Sequence, residues 1–212
     1  LRKAMTVYNC RDVEVIGWLY QFYISEKKDE VRDLIKKNYK VIPENIPAVT
    51  QIFTPNWIVK FLVQNSLGRL WMLNNPYSSL VNKMEYYIKP DDTKIDFAQI
   101  TSPEEIKICD PACGSGHILT YSFDLLYSIY EEQGYDNEYI PSLILENNLY
   151  GIEVDKRAGD LSAFALTMKA REKQRRFFSN PVQPNICVLE NIKFEQDEIN
   201  KYMTSLGRDL LL

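Results

Sequence analysis

The sequence predicts an α/β fold with a mainly parallel sheet preceded by an α-helical element, and three observations carry that expectation. Short apolar runs at 106–109, 149–155 and 185–189 read as buried strands. Stretches with helical periodicity lie between them, so strand, helix, strand, helix, strand forms a βαβ series with right-handed crossovers. The first run leads directly into Asp110-Pro111-Ala112-Cys113-Gly114-Ser115-Gly116-His117, a glycine turn that opens a helix and offers backbone N–H groups to a ligand.

Residues 1–45 read as the helical element. Asp12 is placed to cap a helix whose Val13, Ile16, Gly17, Tyr20 and Ile24 share a face, and a second short helix is expected over 30–38. Neither suggests any chemistry. Residues 46–212 read as the main domain. Pro43 and Pro47 should break helical structure, leaving 48–53 extended up to Thr54-Pro55, where the Thr54 hydroxyl is expected to cap a helix with Pro55 at its first position. That helix should run from Asn56 to about Trp71 and pack on the core, with Lys60, Gln64 and Gly68 as its polar or small strip.

Residues 74–103 are polar and irregular and read as an insertion holding one short helix. A helix from His117 to Gln133 should stop at Gly134, and 141–147 should add a short one. A long helix from Lys156 to about Phe178 is expected to bury Leu161, Phe164, Ala165 and Met168.

Composition narrows the class. With 212 residues and 45% hydrophobic content the chain can bury a real core. No window approaches the roughly 20 apolar residues of a bilayer span, and the N-terminus lacks a signal-peptide layout, so a soluble, cytoplasmic protein with no membrane partner is expected. Cys10, Cys109, Cys113 and Cys187 form no CxxC pair, and the single His117 completes no zinc set, so no metal is expected. A net charge of −4 argues against a surface that is one large nucleic-acid footprint.

The turn itself separates three nucleotide readings. A P-loop needs Gly-Lys-Ser/Thr, and Gly116-His117-Ile118 has no lysine. A dinucleotide fold wants a third glycine for close packing at a pyrophosphate, and Leu119 stands there. S-adenosylmethionine remains: glycines admit its methionine tail, and an acid ending the next strand, Glu153, can accept from both ribose hydroxyls. Glu153 lies about 40 residues past the turn, against roughly 20 in a compact dinucleotide unit, and the 131–148 connection accounts for the difference.

These residues resemble a known family. Asp110-Pro111-Ala112-Cys113-Gly114-Ser115-Gly116 is similar to motif I of the class I DNA adenine N6-methyltransferases, Phe53-Thr54-Pro55 to their motif X, and Gly151-Ile152-Glu153 to motif II. The stretches from Ile52 to Trp71 and from Tyr150 to Asp160 are similar to the PglX-type methyltransferases of BREX phage-exclusion systems. The resemblance covers about 49–194. It implies a Rossmann-like S-adenosylmethionine-dependent core, incomplete here, in which Phe53, Thr54 and Pro55 wall the methionine end. Asp110, Pro111, Ala112, Cys113, Gly114 and Gly116 would form the turn, Glu153 would hold the ribose and Val154 would pack beside the adenine. Glu190, with Asn191 adjacent, would lie near the adenine amino group.

The family's Asn/Asp/Ser-Pro-Pro-aromatic motif, which polarises the target amino group, occurs nowhere in the sequence. Asn74-Asn75-Pro76-Tyr77 approaches it but has Asn for the first Pro, and Asn-Pro reads as a turn. The expectation is therefore a cofactor-binding half with no catalytic residues of its own, inactive alone. Double-stranded DNA would be bound through a missing C-terminal part, and other defence-system proteins are possible partners. The alternatives are a non-catalytic scaffold subunit and methyl transfer to RNA or protein. His117 and Cys113 read as packed residues of the turn, and Arg171, Lys173, Arg175 and Arg176 as a solvated helix end.

Overall fold

A computed structural model describes residues 14–90, 96–190 and 194–205. Asp12, Val13 and Asn191 lie outside the described residues. In chain order the elements begin with helix α1 (Glu14–Lys36), α2 (Ile46–Thr50) and α3 (Asn56–Val63). A π-helical turn (Gln64–Gly68) joins α3 to α4 (Arg69–Asn74). Then come strand β1 (Ile108–Asp110), α5 (His117–Glu132), α6 (Ile140–Asn147) and β2 (Leu149–Glu153). The series ends with α7 (Lys156–Lys173), β3 (Asn185–Val188) and α8 (Gln196–Ser205). The sheet has three strands in the order β1-β2-β3, all parallel, with Ile108 opposite Leu149 and Glu153 opposite Val188.

Strand β1 begins two residues later than expected and runs one further. Ile106 is buried, but its carbonyl accepts from the Asn148 side chain at 2.8 Å, so pairing with β2 starts only where the Ile108 N–H reaches the Asn148 carbonyl at 2.7 Å. Asn148 is fully buried and fully used. Its amide also donates to the Pro103 carbonyl at 2.8 Å and its oxygen accepts from the Tyr130 hydroxyl at 2.9 Å. One polar side chain thus fixes the entry to β1, the start of β2 and the last turn of α5.

The two expected N-terminal helices are one. Nothing from Ser25 to Asp29 breaks a helix, and the exposed pairs Lys27–Glu30 and Lys36–Asp33 support it only weakly. Proline is tolerated in a first helical turn, so Pro47 lies inside α2 and only Gln51 onward is extended. Thr54 caps nothing. Pro55 is the N-cap of α3, and its carbonyl accepts from the N–H groups of Ile58 and Val59.

Of the polar or small strip on the α3–α4 rod, Lys60 stays half-exposed beside Glu85, and Gln64 and Gly68 face inward. Gln64 is fully buried, donating to the Tyr121 hydroxyl at 2.6 Å and accepting from the Tyr86 N–H at 2.6 Å, while Gly68 packs against Met84 and Leu125. Trp57, Phe61 and Leu62 are exposed instead. The described parts of 74–103 hold a short 3-10 helix (Ser79–Lys83) and are seated on the core: Leu80 and Met84 are buried, and Glu132 accepts from Ser78 and Ser79. Asn74 is spent on structure, donating to the Leu70 and Ala98 carbonyls and accepting from the Ile100 N–H.

Helix α5 ends as expected: Gly134 is left-handed, its N–H bonds the Glu131 carbonyl and the Tyr135 N–H bonds the Tyr130 carbonyl. Helix α7 ends five residues short of Phe178 and buries small residues, Ala158, Ser162, Ala165 and Ala170 with Leu166, while Phe164 is exposed. The reason is proximity to the sheet. A Cβ on Gly159 would stand 2.6 Å from Val188, and one on Gly116 would stand 3.2 Å from the Ser162 backbone.

Asn148→Ala removes all three bonds of the buried amide and should destabilise the chain by about 3 kcal/mol or more, against about 1–3 kcal/mol for Tyr130→Phe. Urea denaturation followed by circular dichroism measures both, and equal or negligible losses would contradict this account of the sheet entry.

Candidate functional site

Because the three strands are parallel, their carboxyl ends lie on one edge, where ligands of open α/β sheets bind. Asp110 ends β1 and Glu153 ends β2. Just beyond β3 the Leu189 N–H bonds the Glu153 carbonyl at 2.8 Å.

The turn after β1 is built from its own polar groups. The Asp110 carboxylate accepts from the Ala112 N–H at 3.1 Å, the Cys113 N–H reaches across to the Ile152 carbonyl at 3.0 Å, and the Gly116 N–H closes on the Cys113 carbonyl at 2.8 Å. Gly114 (φ 54°) and Gly116 (φ 88°) are both left-handed, a conformation strained for other residues. Their surroundings differ. A Cβ on Gly116 would strike Ser162, whereas one on Gly114 would meet nothing within 4 Å. Gly116 therefore seats α5 on α7, and Gly114 faces open space.

Glu153 ties the turn to β2. One carboxylate oxygen accepts from the Gly114 N–H at 2.7 Å, and the other accepts from the N–H groups of Val154 and Asp155, each at 2.9 Å. The sequence reading gave this acid a ligand to satisfy it; backbone amides already supply three donors. A carboxylate offers about four acceptor positions, so one remains, and release of Gly114 would open another.

Phe53 and Thr54 border a small pocket of about 50 Å³ together with Gln51, Asp110, Gly114 and His117. Pro55 does not border it; Pro55 starts α3 instead. Ala112 and Cys113 also line it, while Pro111 is exposed at the start of the turn. Burial, reinforced by the Glu153 carboxylate, holds the Asp110 carboxyl above its ordinary range despite the Ala112 N–H. Burial likewise pushes the Cys113 thiol up to about 11, which fits a packed residue and not a nucleophile. Val154 and Glu190 are exposed, on the segments that follow β2 and β3. Arg175 and Arg176 are exposed beyond the far end of α7, and Lys173 lies over the Tyr127 ring at 4.9 Å.

The sequence reading missed that α1 is part of this site. Tyr20 donates its hydroxyl to Asp155, the N-cap of α7, and packs with Ile24 against Ala158 and Phe53. The same hydroxyl is held protonated to well above its usual range, by burial first and then by Asp155. Gly17 lies so close to the turn that a Cβ there would collide with His117 and stand 3.0 Å from the Ser115 hydroxyl. The available signal was Gly17 itself, since a glycine inside a helical face usually has a packing reason.

Asp110→Asn keeps an acceptor for Ala112 and removes a charge that burial disfavours. Because the folded carboxyl titrates above its unfolded value, the wild type gains stability as pH falls through that range, and the variant does not. The variant should therefore melt higher at pH 7, with the gap closing below about pH 4. Thermal unfolding across pH 3–8 checks it, and a variant that melts lower at pH 7 contradicts the assignment.

No protein-family model matches the chain. It is 52% identical over 195 residues to the adenine-specific methyltransferase BrxX of Escherichia coli O9:H4 (strain HS), a match covering 88% of this chain and 16% of that protein. It is 41% identical over 197 residues to the adenine-specific methyltransferase PglX of Lacticaseibacillus casei (strain Zhang), covering 86% and 16% respectively. Among solved structures, the ATP-dependent Type ISP restriction-modification enzyme LlaBIII bound to DNA aligns with a TM-score of 0.42 and 15% identity over 87% of this chain and 11% of that one. That likeness is too distant to argue from. The chain is a homologue of a segment, about a sixth in length, of the adenine-specific methyltransferases BrxX and PglX.

Proposed function

We propose that the carboxyl edge of the sheet is the S-adenosylmethionine site of a DNA adenine N6-methyltransferase of the BREX phage-defence type, on a Rossmann-like core. One observation carries this reading: Gly114, left-handed and facing open space, is bonded to an acid at the end of the adjacent strand, beneath Phe53 and Thr54. The relatives' names and the identity over 88% of the chain support it.

The residues fit such a ligand. Gly114 leaves room for a chain to pass where a side chain would stand. Glu153 keeps acceptor capacity for ribose hydroxyls, and exposed Val154 offers an apolar surface to the purine. Glu190, with Asn191 beside it, is the acceptor we assign to the purine amino group. The pocket beside Phe53 has the volume of one or two waters at about 30 Å³ each, so side chains must yield before the methionine tail enters. Such a donor, when bound, supplies a sulfonium-activated methyl group. The work of this chain is to hold and orient: Asp110 fixes the turn through Ala112, and Glu153 fixes it through Gly114.

Recognition and polarisation of a DNA adenine belong, in this reading, to the whole protein, since the chain spans about a sixth of its relatives and has no Asn/Asp/Ser-Pro-Pro-aromatic motif. The chain should bind S-adenosylmethionine without methylating adenine-containing duplex DNA. Glu153→Ala should weaken binding by about tenfold or more, given the loss of charge-assisted hydrogen bonds. Isothermal titration calorimetry and a tritiated methyl-transfer assay read the two parts. Unchanged affinity in the variant sinks the assignment of Glu153, and methylation by this chain alone would place the transfer machinery within it.

A further inference from the structure

The two acids at the exit of β2 draw their donors from different places. Glu153 takes backbone N–H groups alone, that of Gly114 on one oxygen and those of Val154 and Asp155 on the other. Asp155 takes one backbone N–H, from Arg157 at 3.0 Å, and its second oxygen is met by the Tyr20 hydroxyl of α1, a side chain from outside the sheet. Residue 155 is thus gripped twice. Its carboxylate is fixed by α1 and α7 together, and its own N–H is one of the donors that orient Glu153, at 2.9 Å.

Tyr20 is well seated for such a task. It is only 7% exposed, packs with Ile24 and Ala158, and meets the Phe53 ring edge-on at 6.5 Å between centroids. Its hydroxyl also accepts from the Gln51 side chain. An N-cap needs one side-chain acceptor for the first turn of its helix, and the Arg157 N–H already uses it. The Tyr20 bond is therefore surplus to the cap. A hydrogen bond to an ionised carboxylate is roughly twice as strong as a neutral one, so its effect is to stop residue 155 from turning. Glu153 serves three amides and keeps one acceptor position for a ribose hydroxyl, and its orientation decides whether that position is usable.

We propose that Tyr20 is a positioning residue for the methyl donor: through Asp155 it holds the Glu153 carboxylate in the orientation that accepts from the ribose, so that α1 sets the affinity of a site whose acid it does not touch. The proposal rests on the methyl-donor reading above and adds to it a dependence on the helical element.

The test is a set of S-adenosylhomocysteine affinities, measured by isothermal titration calorimetry on the 212-residue chain and its variants. Tyr20→Phe keeps the ring and its packing and removes only the hydroxyl, and it should weaken binding by about threefold or more. Asp155→Asn keeps one capping oxygen for Arg157, leaves none for Tyr20 and spares the Tyr20–Gln51 bond, and it should weaken binding by a similar factor. In a Glu153→Ala background neither change should weaken binding further, because the group they position is gone. A general loosening of the fold would persist in that background, so additive losses overturn the proposal. An unchanged affinity in Tyr20→Phe overturns it as well. So does a loss in Tyr20→Phe that Asp155→Asn does not reproduce, which would route the effect through Gln51. Should Tyr20→Phe not fold, Asp155→Asn carries both comparisons. A wild type that binds no S-adenosylhomocysteine overturns the methyl-donor reading and this proposal with it, whereas a loss confined to Glu153→Ala leaves that reading standing and removes Tyr20 from it.

Discussion

The Glu153 carboxylate is the constraint on which the site depends. Its bond to the Gly114 N–H joins the turn after β1 to the end of β2, and its bonds to Val154 and Asp155 shape the chain as it leaves the strand for α7. A carboxylate accepting several backbone N–H bonds is strongly held, so two loops that would otherwise be independent behave as one surface. The glycines follow from that geometry. Gly114 is left-handed where its N–H meets the acid, and Gly116 is left-handed and bare where α5 starts against Ser162.

A second layer braces the first. Helix α1 contributes Tyr20 to the Asp155 cap of α7 and lays Gly17 on the turn, and Tyr20, Ile24 and Ala158 form a small core with Phe53 and Leu161 at its rim. The helical element is thus one wall of the candidate site, not an appendage to it. Among the described residues no helix is long and apolar enough to cross a membrane. Among the exposed apolar residues of α1, Tyr23 borders the cleft between α1 and α7, where the Arg157 guanidinium lies over its ring at 5.8 Å.

What the sequence made legible was local chemistry. Gly114, Gly116 and Gly134 were readable because each answers a nearby backbone demand, and the three strand ends because short apolar runs closed by acids or followed by helical periodicity have few alternatives. What it hid was distance and size. The Tyr20–Asp155 bond spans 135 residues and has no local signature. Helix α7 buries alanine and serine in preference to Phe164 because it lies close to the sheet, a fact of packing that hydrophobicity rank does not carry. Gln64 reads as a surface residue until Tyr86 and Tyr121 supply its partners from two other segments. The role of Glu153 was half legible: its need for donors could be read, but not that three backbone amides meet it.

The most direct measurement is a crystal structure of this chain grown with S-adenosylhomocysteine. The account predicts density along the carboxyl edge of the sheet, with the ribose at Glu153 and the amino-acid end between Gly114 and Phe53. Density confined to the wider cleft of about 670 Å³ between α1 and α7, lined by Tyr23, Lys27 and Arg157, would contradict it.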